Sequence, residues 1–178
     1  MVIKETAAHE CRDRAQKRTA TFEHPYHFVG SGLPNVYLAG IDYYVCGECG
    51  KQAADIPALN ELMVKIARTV VQKEPALTGD EIRFLRKRLR KKSNEFAKII
   101  GVTAEQASRW ENGDNPPAPS ADKLIRLFYC ILSEDDDLRE FLGTNLAEWL
   151  SAIPGVEHIK SFRAQLRDHE WTAESVLA

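Results

Sequence analysis

The sequence predicts an α+β chain: a small β-rich N-terminal domain, a linker helix, an all-α domain and a helical C-terminal extension. Three observations predict it. Aromatic and β-branched residues cluster between turn residues over 21–45, the mark of short strands. The apolar pattern changes to a helical period from Leu59 onward. From Thr78, short helical patterns follow one another, each punctuated by Gly or Pro. The divisions fall at 1–54, 55–77, 78–132 and 133–178.

Each element has its own warrant. Phe22, Tyr26, Phe28, Val29, Val36, Tyr37, Tyr43, Tyr44 and Val45 make two or three strands, broken by Gly30-Ser31-Gly32, Pro34-Asn35 and Gly40. Cys46-Gly47-Glu48-Cys49-Gly50 follows at once, and a tight turn of this kind aims two thiolates at one metal. Leu59, Leu62, Met63, Ile66 and Val70 form one helical stripe, with Asp55 as its cap and Pro57 in its first turn. Pro75 closes that helix. Thr78-Gly79-Asp80-Glu81 opens the next, with acidic residues at its positive end and Ile82, Leu85 and Leu89 inward. Phe96, Ala97 and Ile100 line a short helix stopped by Gly101. Thr103 caps a third, which ends at Asn112-Gly113. After a rigid Pro-rich turn, Ser120 caps a fourth, with Leu124, Leu127, Phe128 and Ile131 inward and Cys130 in the core. The tail carries helix faces at Leu138, Phe141, Leu142 and at Leu146, Trp149, Leu150. Pro154-Gly155 is a turn, and Ile159, Phe162 and Leu166 predict a last helix.

Composition excludes several classes. The chain has 178 residues, enough for one large domain or two small ones. No apolar run approaches the roughly 18 residues of a membrane helix. The charged N-terminus lacks the apolar core of a signal peptide, so a cytoplasmic location is expected. Four cysteines are too few for a disulfide scaffold, so Cys-x-x-Cys points to metal or redox chemistry. A redox pair would sit before a helix in a βαβ setting, and this one follows a strand. No paired carboxylates, Ser-His-Asp set or Gly-rich phosphate loop stands out, and the chain is expected not to be an enzyme. Net charge is 0 over 1–77, +4 over 78–132 and −6 over 133–178. That asymmetry suggests a polyanion partner for the middle segment alone.

Two short helices separated by Gly101-Val102-Thr103 suggest a helix-turn-helix. The stretches from Ile82 to Leu89, Phe96 to Thr103 and Ala107 to Gly113 resemble the Xre/Cro type of that motif over about fifty residues. The resemblance implies a transcriptional regulator that binds a palindromic operator in double-stranded DNA as a homodimer. Thr103, Ala104, Glu105, Gln106 and Arg109 take the base-reading side. Arg109 suits guanine, Gln106 adenine and Glu105 cytosine. Trp110 and Ala107 pack inward, and Glu111 pairs within the domain. Where the family usually has Ser/Thr-Gln at the start of its second helix, this chain has Lys92-Ser93. Ser93 either contacts a phosphate or caps the helix. Lys91 and Lys92 either contact phosphates or face solvent.

Cys-x-x-Cys-Gly ahead of such a domain is similar to the MqsA-like (YgiT-type zinc finger) antitoxins. Pro25 to Phe28 and Gly40 to Gly50 match the two strands of their zinc domain, and the resemblance spans about 9–132. It implies an autorepressor whose N-terminal domain binds a toxin, commonly an mRNA-cleaving RNase. The family's first Cys-x-x-Cys is missing. A structural Zn2+ needs four ligands, and Cys46 and Cys49 supply two. His9 and Cys11 are candidates for the others, with His24 and His27 as substitutes. Otherwise the two thiols sit in a hairpin without metal. The acidic tail lies outside the resemblance and leaves open a stand-alone regulator or protein-binding adaptor.

Overall fold

The computed structural model describes residues 15–153 and 159–177. Among these residues seven strands lie in two sheets. β1 (Ala15–Thr19), β4 (Asp42–Cys46) and β5 (Gln52–Ala54) form an antiparallel sheet in the order β1-β4-β5. The second sheet has the order β2-β3-β6-β7, from β2 (Tyr26–His27), β3 (Val36–Ala39), β6 (Ile159–Arg167) and β7 (Glu170–Leu177). In it β3 and β6 run parallel, with Val36 opposite Phe162 and Leu38 opposite Ala164.

This corrects the helix expected over Ile159, Phe162 and Leu166. Their spacing fits a helix, but Phe162 and Ala164 are buried and Arg163 between them is exposed, which is the two-residue period of a strand. Pairing with β3 decides the matter, since β6 satisfies backbone groups that β3 would otherwise leave open. Asp168 and His169 both take positive φ, 48° and 68°, in a two-residue turn joining β6 to β7. Such a turn matches the twist of paired strands. The extension is therefore helical only in its first half.

Six α-helices are found among the described residues: α1 (Leu59–Gln72), α2 (Gly79–Arg88), α3 (Ser93–Ile100), α4 (Ala104–Asn112), α5 (Pro119–Leu132) and α6 (Asp136–Ala152). α1 buries Leu62, Ile66 and Val70 in the core that also holds Val36, Leu38, Phe162 and Trp171. It starts later than Asp55 and Pro57 suggest, after Ala58 in a left-handed conformation. The Pro57 carbonyl instead accepts from Trp171 Nε1 at 2.9 Å. α1 also covers the edge of β7: Trp171 N donates to Glu61 Oε1 and Thr69 Oγ1 to Ala173 O, each at 3.4 Å.

The link from α1 to α2 is buried rather than loose. Arg126 of α5 is fully buried. It donates to Asp122 Oδ1 at 2.6 Å, to Val71 O at 2.9 Å, to Pro75 O at 2.6 Å and to Lys73 O. Asp122 Oδ2 accepts from Leu77 N at 2.6 Å. Lys73 Nζ lies 3.0 Å from Glu81 Oε2 and donates to Ala76 O at 2.7 Å. Burial pushes the Lys73 ammonium below its ordinary value, and Glu81 opposes that shift.

That network also sets the innermost face of α5. The buried face of α5 is Asp122, Ile125, Arg126, Tyr129 and Cys130. Of the residues expected inward, Leu124, Leu127 and Phe128 are half-buried and pack against the core, while Ile131 is exposed. A buried, fully bonded Asp-Arg pair with four backbone partners takes a central place on that helix beside its apolar residues. α5 begins at Pro119 with Ala118 at its cap, so Ser120 lies inside the first turn and caps nothing.

Candidate nucleic-acid interface

α2 opens with the reciprocal cap that its sequence suggests. Thr78 Oγ1 accepts from Glu81 N at 3.3 Å, and Thr78 N donates to Glu81 Oε2 at 2.6 Å. α3 starts at Ser93 itself, with Lys92 at the cap position. Lys92 N donates to Glu95 Oε2 at 2.9 Å, so Glu95 supplies the acceptor at this end and Ser93 is not the cap. Gly101 ends α3 at φ 79°, a conformation that glycine takes without steric cost. Thr103 Oγ1 then accepts from Gln106 N at 3.1 Å and caps α4. At the far end of α4, Gly113 N bonds Trp110 O and Asp114 N bonds Arg109 O, closing the helix tightly.

α4 is anchored from behind. Ala107 and Trp110 are buried in the domain, as expected. Glu111 is buried too, and both its oxygens accept from Arg86 of α2, Oε1 from Nε at 2.6 Å and Oε2 from Nη2 at 2.8 Å. This two-point bond holds the Arg86 guanidinium charged more firmly than usual. Gly79 permits the close approach: a Cβ there would lie 2.5 Å from Trp110 O and 2.8 Å from Glu111 O. Nothing in the sequence pattern marks Gly79 for that role, because the contact is between chain segments some thirty residues apart.

The opposite face of α4 is open. Thr103, Ala104, Glu105, Gln106 and Arg109 are all exposed, on the side the sequence assigns to base reading. Arg109 Nη2 lies 2.6 Å from Glu105 Oε1, one turn away. Asn115, Pro116 and Ala118 from the turn after α4 wall the same groove as Thr103, Gln106 and Arg109. Asn115 carries no sequence signal, since its place depends on how the Pro-rich turn folds against α4. Around the site Lys87, Arg90, Lys92 and Lys98 are exposed and Lys91 half-buried. Arg83, Arg86 and Arg126 are engaged internally with Asp80, Glu111 and Asp122. The surface basicity therefore comes mainly from the lysines and Arg90.

Residues 82–128 match the helix-turn-helix family. The matched segment runs from α2 into α5 and contains the α3–turn–α4 unit just described, so this part of the chain is a helix-turn-helix domain of the kind found in DNA-binding transcriptional regulators. No curated protein matches the chain. No helix among the described residues is long and apolar enough to cross a membrane.

The metal-ligand candidates divide. Cys46 is buried at the end of β4, and Cys49 is exposed in the turn to β5. That turn is closed by Cys46 N to Lys51 O and Gly50 N to Cys46 O, each 2.9 Å. His9 and Cys11 lie outside the described residues. His27 stacks on Tyr37 with ring centroids 5.0 Å apart, and its Nε2 is 2.7 Å from Pro34 O, so its ring is used in packing. His24 is exposed in the turn before β2. Cys130 is buried in the core, where burial pushes its thiol up to about 12.

Proposed function

We propose that the helix-turn-helix domain binds a palindromic operator as a two-fold dimer, with α4 in the major groove and α3 across the backbone. The observation that carries the reading is the division of α4: one face bonded to α2 through Glu111, the other exposing Gln106 and Arg109 together. The geometry suits direct readout, with Arg109 on guanine, Gln106 on adenine and Glu105 on cytosine. Lys92 and Ser93 stand at the positive end of α3, where a phosphate is favoured.

The likeness of the N-terminal strands and Cys46-x-x-Cys49 to antitoxin zinc domains supports an autorepressor whose β body binds a protein such as a toxin RNase. The donor chemistry of the β4–β5 turn fits half of a zinc site, with two thiols on one tight turn. Bound zinc would tie the turn to its other ligands and serve a structural role.

The test is a shift assay of the full chain on its own upstream DNA. Arg109→Ala is expected to weaken specific binding by about 1–3 kcal/mol, and non-specific binding much less. Equal operator affinity in that variant would refute the assigned reading face. Elemental analysis of purified protein tests the metal: one zinc per chain is expected, lost on Cys46→Ser.

A further inference from the structure

We infer that the outer face of the β2-β3-β6-β7 sheet binds single-stranded nucleic acid, a function separate from the helix-turn-helix domain. α1 packs on the inner face, where Leu38, Phe162 and Trp171 are buried. Strand alternation turns their neighbours Tyr37, Arg163 and Thr172 outward. The register aligns His27, Tyr37 and Arg163 in one row across β2, β3 and β6. The His27 and Tyr37 rings stack, with centroids 5.0 Å apart and planes 21° apart. His27 Nε2 donates to Pro34 O at 2.7 Å, which fixes the imidazole in place. β2 is the outermost strand and His27 is exposed, so no strand covers the far face of its ring. A further planar group can extend the stack there.

Charge and planarity together select the occupant. β6 turns Arg163, Gln165 and Arg167 to the same face. Both arginines are exposed, and neither makes an ion pair or side-chain hydrogen bond among the described residues. They stand about 13 Å apart along one strand and suit two phosphates of a single chain. Gln165 between them offers a donor and an acceptor to a base edge. Bases stack on aromatic rings whatever their sequence, and His27 and Tyr37 supply the rings. A duplex keeps its bases stacked on one another and presents none to His27. Glu174 of β7, level with Arg163, repels phosphate and confines the bound chain to the β2-β3-β6 side.

The test is fluorescence anisotropy of labelled oligouridine, with oligothymidine beside it, titrated with the full chain. Binding of either strand is expected, with a salt slope of about −1.4 for two neutralised phosphates, a roughly sevenfold loss between ~50 and ~200 mM salt. Arg163→Ala should weaken binding about tenfold and lower the slope to about −0.7. His27→Ala should weaken it about tenfold through lost stacking. Glu174→Lys should tighten it severalfold, a gain that a damaged fold cannot produce. Arg109→Ala in α4 should leave it unchanged, and unlabelled duplex should compete poorly. No anisotropy change with ~50 μM chain at ~50 mM salt overturns the proposal and leaves the row to a protein partner. Binding that ignores both Arg163→Ala and Glu174→Lys, or that Arg109→Ala abolishes, overturns it by placing the strand elsewhere.

Discussion

Removing Glu111 should unseat the reading helix from the rest of the domain. Its carboxylate is buried and takes two bonds from Arg86, at 2.6 and 2.8 Å. Glu111→Ala leaves the Arg86 guanidinium, 13% exposed, without its counter-charge. Breaking one side of a buried pair costs about 3–5 kcal/mol. Arg86 keeps its bond to Lys91 O at 2.8 Å and has some access to water, which places the loss near the lower end, about 3 kcal/mol. For a chain of this size that is roughly 6–12 °C in Tm. Urea unfolding followed by circular dichroism measures it. The control is Arg86→Met/Glu111→Leu, which removes both charges and retains bulk. It should fall within about 1 kcal/mol of the parent, because a buried pair gains little over a well-packed apolar one. A loss below about 1 kcal/mol in the single variant, or a double variant worse than the single, would refute the reasoning.

Other outcomes follow from the same geometry. Gly79→Ala must push a methyl group against Trp110 O, and should cost about 1–3 kcal/mol by thermal unfolding, although alanine is the better helix former. Glu105→Gln frees Arg109 and removes a negative charge from the groove, so affinity for unrelated DNA should rise in a shift assay while discrimination falls. Cys130, its thiol pushed up to about 12, should resist iodoacetamide at pH 8.5 in the folded chain and react only in denaturant, as mass spectrometry can show. Lys73 is held below its ordinary value by burial, so just below that value the unfolded chain binds the proton more tightly than the folded one. Its contribution to stability therefore rises with pH there, and Lys73→Met should flatten the slope in alkaline urea titrations.

The site was more legible than the fold around it, for a physical reason. α2, α3 and α4 are bounded by local chemistry: Thr78 and Thr103 cap, while Gly101 and Gly113 stop. Signals within four residues of their targets survive without tertiary information. The outward order of Gln106 and Arg109, and the inward order of Ala107, Trp110 and Glu111, follow from a single helical period. The strand at Ile159–Arg167 was not legible, because its partner β3 lies more than a hundred residues earlier and its spacing also fits a helix. The burial of Asp122 and Arg126 in α5 was not legible, because hydropathy cannot foresee that Arg126 finds carbonyls at Val71 and Pro75 and a carboxylate at Asp122.

The return of β6 to β3 changes what the boundary near residue 77 means. The helix-turn-helix segment is an insertion between two halves of one sheet, with α1 entering and α6 leaving. Both passages are held by charge. On entry, Arg126 and Asp122 fix the backbone from Val71 to Leu77. On exit, Arg68 of α1 grips Asp135 through two bonds of 2.6 Å and also Asp137, at the start of α6. Two such attachments leave little freedom for the β body to swing relative to α4. A protein seated on the strands would therefore act on DNA binding by standing in the way or by breaking these ion pairs, and not by pulling on a flexible tether. Arg68→Ala separates these routes: it cuts the exit attachment while leaving α4 and its Glu111–Arg86 bond untouched. Under the rigid reading, that variant should gain protease sensitivity near Ser133–Asp137 and keep operator affinity within about threefold in the absence of a partner.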